Sequence, residues 1–375
     1  MRLEWLRLHD FRNVRAAELT FAPGLNRITG ENGQGKSNLL EAIGLLASGR
    51  SFRRATAGQM RRWEQTAFRV SGAVHTQGWQ RQLDVEGGSG RQVVRLDGKP
   101  VVSVTRMERV LVTVILTPET PQLVRGGPAE RRAFLDWVIF GADRRHGIES
   151  ADYQTALRSR LHLLKQGCRS EPELEVWEWS LARLGARIAS RRHRAVGHLM
   201  RMLPPILEQL GVDPEQCTMR LSGDLERWFQ QDVGMEEVAM QMRTALARGR
   251  ERDRVTGTTS VGPQRDDLEL CLSGHPVARF GSRGQQQRLA FALKLAEAAW
   301  LEELLGEPLV MLLDDPVAEL DRAGAHGLMT VLSASGRQLF VASREAGEIP
   351  WPGRRSLECA VVAGAFQVSM EQAHS

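Results

Sequence analysis

The 375-residue sequence predicts an α/β fold: a head with an antiparallel β subdomain, and a helical lobe inserted between the two halves of that head. Three observations support this prediction. A glycine-rich loop at residues 30–37 lies between a predicted strand and a predicted helix. An apolar run at residues 309–313 ends in two aspartates, as a buried parallel strand does. Between these segments, apolar residues recur at helical spacing from Leu174 to Leu199.

Most of the first hundred residues show strand patterns. Residues 2–8 alternate in polarity, and Leu25–Thr29 predicts a strand that leads into the glycine-rich loop. Residues 38–47 are apolar at helical spacing. Short alternating runs over residues 67–102, with an Asp97-Gly98 turn signal between two of them, predict an antiparallel meander.

Helical patterns dominate from about residue 128 to residue 250. The stripe from Leu174 to Leu199 covers only three to four heptads, so a compact lobe is favoured over a long rod. A short antiparallel coiled arm is the alternative interpretation of this stripe. Pro204-Pro205 is expected to end this helix. The predicted domains are therefore residues 1–125 and 251–375 for the two halves of the head, and residues 126–250 for the lobe.

The composition is that of a globular protein, with 42% hydrophobic and 25% charged residues. No apolar run approaches the roughly 18 residues of a membrane span, and no signal-peptide core is present, so a cytoplasmic protein without a membrane partner is expected. The four cysteines stand far apart, which favours incidental thiols over a metal site or a disulfide. They are Cys168, Cys217, Cys271 and Cys359.

The chain is moderately basic, with a net charge of +5 and a pI near 9.4. Such a charge permits an anionic partner such as nucleic acid. Only Lys36, Lys99, Lys165 and Lys294 are lysines, so 46 of the 50 basic residues are arginine. A lysine kept against this bias marks a position where a guanidinium does not serve, and Lys36 is such a position.

The glycine-rich loop has the pattern G-x-x-x-x-G-K-S of a phosphate-binding P-loop. Glycines let successive backbone N–H groups point at phosphates, and the following helix adds its positive end. Lys36 is expected to reach the β and γ phosphates of ATP, and the Ser37 hydroxyl to ligate Mg²⁺. The predicted nucleotide-binding residues are Gly30, Glu31, Asn32, Gly33, Gln34, Gly35, Lys36, Ser37 and Asn38.

The two aspartates after the apolar run form the second motif. Asp314 is expected to hold Mg²⁺ through its water shell, together with Ser37. Asp315 is expected to act catalytically with Lys36 by polarising the attacking water, at a position where ABC-type ATPases usually carry glutamate. Acidic residues often follow strands, so an apolar run that ends in two aspartates is weak evidence by itself. Together with the P-loop it indicates a nucleotide site.

The third motif selects the class of ATPase. Ser282, Arg283, Gly284 and Gln285 match an ABC signature, whose helix N-terminus binds the γ-phosphate of ATP held by a partner subunit. By itself the segment could be a glutamine-rich N-capped helix. Residues Glu319, Leu320 and Asp321 fit the D-loop that crosses such a dimer interface, and Ser343 occupies the switch position. Together the motifs predict an ABC-type (SMC-like) P-loop ATPase head that dimerises with ATP.

Several sequence blocks resemble the RecF family of bacterial DNA repair proteins. They are LHDFRN at residues 8–13, the segment 24–53, GGPAERRAFLDW at 126–137, GPQRDDLEL at 262–270 and SRGQQQR at 282–288. This resemblance implies a weak, DNA-stimulated ATPase and an ATP-dependent homodimer that binds gapped, double-stranded or single-stranded DNA. It also implies roles in replication, in recombinase loading with RecO and RecR, and in the SOS response to DNA damage.

Three positions depart from the family pattern. Ser37 replaces threonine and keeps the hydroxyl, Gln264 stands where the family usually has histidine, and Ser343 replaces a threonine-rich segment. The glutamine puts a charge-switching role at position 264 in doubt.

Two clusters of arginines are candidates for DNA contact, although solvated surface is the commoner meaning of such runs. Arg50, Arg53 and Arg54, with Arg61 and Arg62, follow the first helix, and Arg191, Arg192 and Arg194 lie in the lobe. No base-reading motif is present, so contacts to phosphate are expected. Another SMC-like or ABC ATPase and a non-hydrolysing nucleotide switch remain alternative functions.

Overall fold

The computed structural model describes residues 1–88, 92–101, 109–166, 171–229, 233–318, 320–334, 336–345 and 355–372. Side chains are described for these residues except 171, 355 and 370–372. The chain forms two compact units. The first contains residues 1–121, 205–212 and 283–375, and the second contains residues 122–204 and 213–282.

A six-stranded antiparallel sheet forms one layer of the first unit. In spatial order its strands are β2 (Val14–Thr20), β1 (Arg2–Phe11), β4 (Ala67–Thr76), β5 (Trp79–Gly88), β6 (Val93–Leu96) and β7 (Lys99–Pro100). The antiparallel pairing of β4 through β7 confirms the predicted meander over the described residues. Residue 102, the last of the predicted meander, lies outside the described part of the chain.

A second six-stranded sheet carries the P-loop. Its order is β15 (Ala365–Gln372), β14 (Arg355–Val362), β3 (Leu25–Thr29), β13 (Gln338–Ser343), β12 (Val310–Asp314) and β8 (Thr113–Leu116). All pairings are parallel except that of β14 with β15. The apolar run before the aspartates is thus a buried central strand, because β12 has neighbours on both sides.

Helix α1 (Lys36–Ser48) lies between the two sheets. It packs against β1, β4 and β5 of the antiparallel sheet and against β8, β12 and β13 of the parallel sheet. Because apolar neighbours cover it on both sides, ten of its thirteen residues are buried. The other helices of this unit are α2 (Ala57–Met60), α11 (Arg283–Leu305) and α12 (Arg322–Ser333).

The second unit is mainly helical. Besides most of the long helix α6 (Glu171–Gln209), its helices are α3 (Gln122–Arg125), α4 (Pro128–Ala142), α5 (Arg145–Lys165), α7 (Asp224–Phe229), α8 (Met235–Arg248), α9 (Arg250–Thr256) and α10 (Val277–Phe280). A small antiparallel sheet has the order β11 (His275–Pro276), β10 (Asp267–Leu272) and β9 (Cys217–Ser222), and 3₁₀ turns occur at Pro214–Gln216 and Pro263–Arg265. Because β10 pairs with β9, residues 251–282 belong to this unit, whereas the sequence had placed them in the head.

The long helix α6 (Glu171–Gln209) corrects one prediction. Pro204-Pro205 does not end it, and the helix continues to Gln209. Each proline removes one backbone N–H from the helix. However, Leu203, Ile206 and Leu207 are buried around this point, and their burial favours continuing the helix.

The described cysteines Cys217, Cys271 and Cys359 are unpaired thiols, and Cys168 lies outside the described residues. Burial raises the pKa of Cys217 to about 11 and that of Cys359 to about 12, which keeps both thiols protonated and unreactive. None of the helices that the structure describes is long and apolar enough to cross a membrane.

Candidate nucleotide site

The glycine-rich loop joins the end of β3 to the first residue of α1, in the strand–loop–helix order that a P-loop requires. Gly30 and Gly35 have φ angles of 147° and 124°, which side-chain-bearing residues rarely adopt. A Cβ on Gly30 would also lie 2.5 Å from the Val361 carbonyl oxygen. Since Gly35 is the N-cap of α1, the first amides of this helix carry no side-chain cap and can face an anion.

Lys36 folds back over this loop. Its Nζ donates hydrogen bonds to the carbonyl oxygens of Gly30 at 2.5 Å and Glu31 at 3.2 Å, and the side chain is buried. A buried ammonium needs hydrogen-bond acceptors, and here they are oxygens of the loop itself. The loop therefore holds one positive charge at the place where phosphates would lie.

The end of β12 brings Asp314 to the start of α1. The Ser37 hydroxyl and the Asp314 carboxylate are hydrogen-bonded to each other. Burial is the main reason that the pKa of Asp314 lies above its ordinary value, and the charge of Asp315 acts in the same direction. The Ser37 hydrogen bond and the nearby cations oppose this shift; the cations are Arg53 and Lys36.

This oxygen pair fits a Mg²⁺ ion. Mg²⁺ is usually held by one or two protein oxygens together with substrate phosphates and water. The described residues contain no group of three or more His, Cys, Asp or Glu side chains that could hold a metal by themselves. A magnesium ion at Ser37 and Asp314 would thus depend on phosphates for the rest of its coordination.

Asp315 follows β12 with a left-handed backbone, at φ 45°. Its N–H donates to the Ala342 carbonyl at 3.0 Å, which fixes the residue against β13. Ser343, the predicted switch residue, ends β13 beside Thr29 of β3, and its hydroxyl donates to the Glu345 carbonyl. The predicted catalytic and switch residues therefore lie at the same carboxyl edge of the parallel sheet as the P-loop.

The structure also reveals support residues that sequence analysis missed. Asn13 donates to the Gln34 carbonyl at 2.8 Å and accepts from the Asn38 side chain at 2.9 Å. The turn between β14 and β15 holds the other side of Gln34, because Ala363 N–H donates to its side-chain oxygen and Gly364 N–H to its carbonyl. The P-loop is thus pinned from both sides. The LHDFRN block was the available signal, but its asparagine had no assigned role.

A buried carboxylate on α1 organises the basic side chains beside the P-loop. Arg12 makes two hydrogen bonds to Glu41, at 2.6 and 2.8 Å, and the Ser51 hydroxyl donates a third at 2.5 Å. Arg53 lies 3.7 Å from Glu41 and donates to the Asn38 side chain at 3.0 Å. Arg53, predicted to contact DNA, is therefore tied to the nucleotide-binding helix as well.

The signature and D-loop segments meet at α11. Ser282 immediately precedes α11 and Arg283 is its first residue, as predicted, and a Cβ on Gly284 would meet nothing within 4 Å. Asp321 caps α12 by accepting from Gly324 N–H at 2.8 Å and pairs with Arg288 of α11 at 2.5 Å. Leu320 precedes this cap, whereas Glu319 lies outside the described residues.

Two of the three arginines in the cluster of the lobe pair with carboxylates. Arg192 is buried and bridges Asp136 and Asp266, each at 2.9 Å. Arg191 pairs with Asp143 and Glu149. The interpretation of Arg192 as part of a DNA-contacting or solvated surface is therefore wrong, because its side chain is buried. Arg191 is partly exposed and Arg194 is exposed.

The two carboxylates that Arg192 bridges have pKa values shifted in opposite directions: that of Asp136 is lowered and that of Asp266 is raised. Burial by itself would raise the pKa of Asp136. Hydrogen bonds from His146 and Arg192 outweigh this effect and lower the pKa to about 2. Burial raises the pKa of Asp266 to about 6, against the charge and hydrogen bond of Arg192. Gln264 nearby accepts from the Tyr153 hydroxyl and donates to Thr259 and Val261 carbonyls. Gln264, which replaces the histidine of the family pattern, thus connects α5 to the segment before β10 through hydrogen bonds.

Arg50, Arg54, Arg61 and Arg62 lie in the segment after α1. Arg50 and Arg54 are exposed, Arg61 donates to the Gln65 carbonyl at 2.9 Å, and Arg62 pairs with Asp10 at 2.6 Å. This segment therefore keeps positive charge at the surface.

Comparison with known proteins extends the similarity over the whole chain. Residues 2–349 match the model of the RecF/RecN/SMC N-terminal domain family. The DNA replication and repair protein RecF of Magnetococcus marinus is 45% identical, covering 99% of this chain and 98% of that protein. The RecF protein of Myxococcus xanthus is 35% identical, covering 92% of this chain and 91% of that protein.

Solved structures give the same result for the fold. The recombination mediator protein RecF of the RecFOR pathway, solved with ATP, has a TM-score of 0.86 at 28% identity and covers 98% of this chain and 99% of its own. An Smc head bound to the C-winged helix domain of ScpA has a TM-score of 0.57 at 14% identity, covering 99% of this chain and 98% of its own. The latter similarity shows a shared head fold alone.

Proposed function

The chain belongs to the RecF family, and from that premise we propose that it is a DNA replication and repair ATPase whose two copies close around two ATP molecules on DNA. The observation that carries this proposal is the meeting of Ser37 and Asp314 beside Lys36, in a loop whose backbone can surround phosphates. Each of the three supplies a group that ATP and Mg²⁺ require.

The roles of the residues follow from their positions. The loop amides of residues 30–38 and the Lys36 ammonium bind the β and γ phosphates. Ser37 and Asp314 hold Mg²⁺, which neutralises phosphate charge when bound. Asp315 accepts a hydrogen bond from the attacking water and so orients it. The signature residues, Ser282 to Gln285, complete the site of the other copy through their helix N-terminus.

The finer assignments rest on family membership and surface charge. They are a weak DNA-stimulated turnover, an ATP-dependent homodimer, action with RecO and RecR at gapped DNA, SOS induction and a cytoplasmic location. Arg50, Arg53 and Arg54 are proposed to contact DNA phosphates. Since Arg53 also contacts Asn38 in the first turn of α1, which follows the P-loop, nucleotide binding can reposition this basic segment.

A nucleotide switch with negligible turnover is the second candidate function. The observation that favours it is Asp315, whose side chain is one methylene shorter than the usual glutamate and must reach water from a left-handed backbone at φ 45°. Both candidates require ATP binding and dimerisation, and they differ only in hydrolysis.

Light scattering with and without ATP, in the presence and absence of gapped DNA, tests the shared part of the proposal. We expect ATP to convert monomer to dimer and gapped DNA to strengthen this conversion.

Lys36→Ala should lower ATP affinity by more than about tenfold, since a hydrogen bond to a charged group contributes roughly 1.5–3 kcal/mol. Lys99→Ala, at an exposed strand position, is the matched control and should behave like wild type. Unchanged ATP affinity in a folded Lys36→Ala variant would contradict the P-loop assignment.

A further inference from the structure

Trp63 is the most exposed of the large apolar side chains described in the structure, with 90% of its surface accessible. Tryptophan is highly buried on average, because few side chains gain more from leaving water. A tryptophan this exposed does not contribute to the core. Its position therefore points to a ligand that would cover it.

Hydrogen bonds order the backbone on both sides of Trp63. Gln65 N–H donates to the Arg62 carbonyl at 3.2 Å, which closes a turn over Trp63 and Glu64. The Arg61 side chain fastens the same turn through the Gln65 carbonyl, and Arg62 N–H donates to the Asp10 carbonyl at 2.7 Å. A side chain on an ordered turn leaves less backbone entropy to be lost on binding than one on a mobile segment.

The surface around the indole is basic. Five arginines line the same shallow depression as Trp63: Arg12, Arg53, Arg54, Arg61 and Arg62. Three carboxylates lie among them, namely Asp10, Glu41 and Glu64. The balance is positive, and a guanidinium with five N–H donors keeps donors for a further acceptor after one ion pair. The depression therefore suits a polyanion that also presents a flat apolar face.

We propose that Trp63 stacks on an unpaired nucleobase of DNA while the surrounding arginines contact the adjacent phosphates. This proposal rests on the DNA-binding function proposed above and names the part of the DNA that this surface takes. Aromatic–base stacking combined with a basic groove is the usual means of binding single strands without sequence preference. In a continuous duplex the base faces are covered by their neighbours, so the indole would have to unstack a base step to reach one.

Replacing the indole tests this proposal directly. With ATP present, Trp63→Ala should weaken binding to single-stranded and gapped DNA by about 5- to 150-fold, the range that corresponds to loss of one stacked base. Binding to a continuous duplex should change by less than about twofold. Trp63→Phe should restore most of the lost affinity because it keeps an aromatic face. Trp79→Ala is the matched control, since Trp79 is 74% exposed in the same unit but lies outside the basic depression.

The possible outcomes separate this proposal from the function on which it rests. Equal losses on duplex and gapped DNA, or no loss on either, would overturn the stacking role of Trp63. Wild-type protein that binds no DNA in any nucleotide state would overturn the DNA-binding function itself. ATP-dependent light scattering and thermal unfolding of each variant should match wild type, because the indole contributes to neither the nucleotide loop nor the core.

Discussion

Asp266 offers a quantitative test of the lobe interior, because its pKa is raised to about 6 from an ordinary value of 3.8. In the native state this carboxyl binds a proton more tightly than in the unfolded chain. Between these two pKa values the folded state holds more protons, so stability falls as pH rises through this window. Ionisation of Asp266 therefore costs stability at neutral pH and costs less in mild acid.

The perturbation is Asp266→Asn, which removes the titration while keeping the shape of the side chain. The linkage relation gives an ionisation cost of about 3 kcal/mol near pH 7.5 and roughly 1.6 kcal/mol near pH 5. When the pH is lowered from 7.5 to 5, the unfolding free energy of wild type should thus rise by about 1.4 kcal/mol relative to that of the asparagine variant. The difference between the two proteins isolates this one group.

Urea unfolding of both proteins at the two pH values measures this gain. Asp97→Asn serves as the control, because a backbone hydrogen bond from Gln82 holds the pKa of Asp97 below its ordinary value. Asp97 is therefore ionised at both pH values, and its replacement should give no pH-dependent difference. A pH-independent difference for Asp266→Asn, or one of opposite sign, would refute the argument that burial dominates at this carboxyl.

Two further variants test the ATPase site. Asp315→Asn should keep ATP binding and lower turnover by at least about a hundredfold, which traps an ATP-bound dimer visible by light scattering; normal turnover would leave Asp315 without a catalytic role. Ser282→Arg should leave ATP bound to each monomer but prevent ATP-dependent dimerisation, because a bulky cation would occupy the place of the partner's γ-phosphate. Dimers of this variant that still form with ATP would contradict a shared site.

The sequence predicted those features whose chemistry is local. The P-loop and the aspartates after β12 follow patterns in which neighbouring residues do the work, and the structure places Lys36, Ser37 and Asp314 together. Arg192 could not be assigned in this way, since its partners Asp136 and Asp266 are 56 and 74 residues away. A run of arginines has the same appearance whether its members face solvent or buried carboxylates.

Contacts between residues that are distant in sequence also explain the missed role of Asn13 and the wrong end of α6. Asn13 touches Gln34 across 21 residues, and no residue pattern near either one announces that contact. Pro204-Pro205 is a local signal to stop a helix, but burial of the flanking apolar side chains favours continuing it. Tertiary packing therefore supplied the contact of Asn13 that no local pattern indicates, and it overrode the local stop signal at Pro204-Pro205.

The order of strands in the parallel sheet has a consequence for synthesis of the chain on the ribosome. Strand β3, which leads into the P-loop, has β13 and β14 as its neighbours, so no partner for it exists until residue 338 has been made. The turn that pins Gln34 arrives still later, at Ala363 and Gly364. Because domains fold as their contacts become available, a nascent chain shorter than this cannot hold ATP in the geometry described above. During most of translation, the residues of the phosphate-binding loop have been synthesised but the strands that support the loop have not.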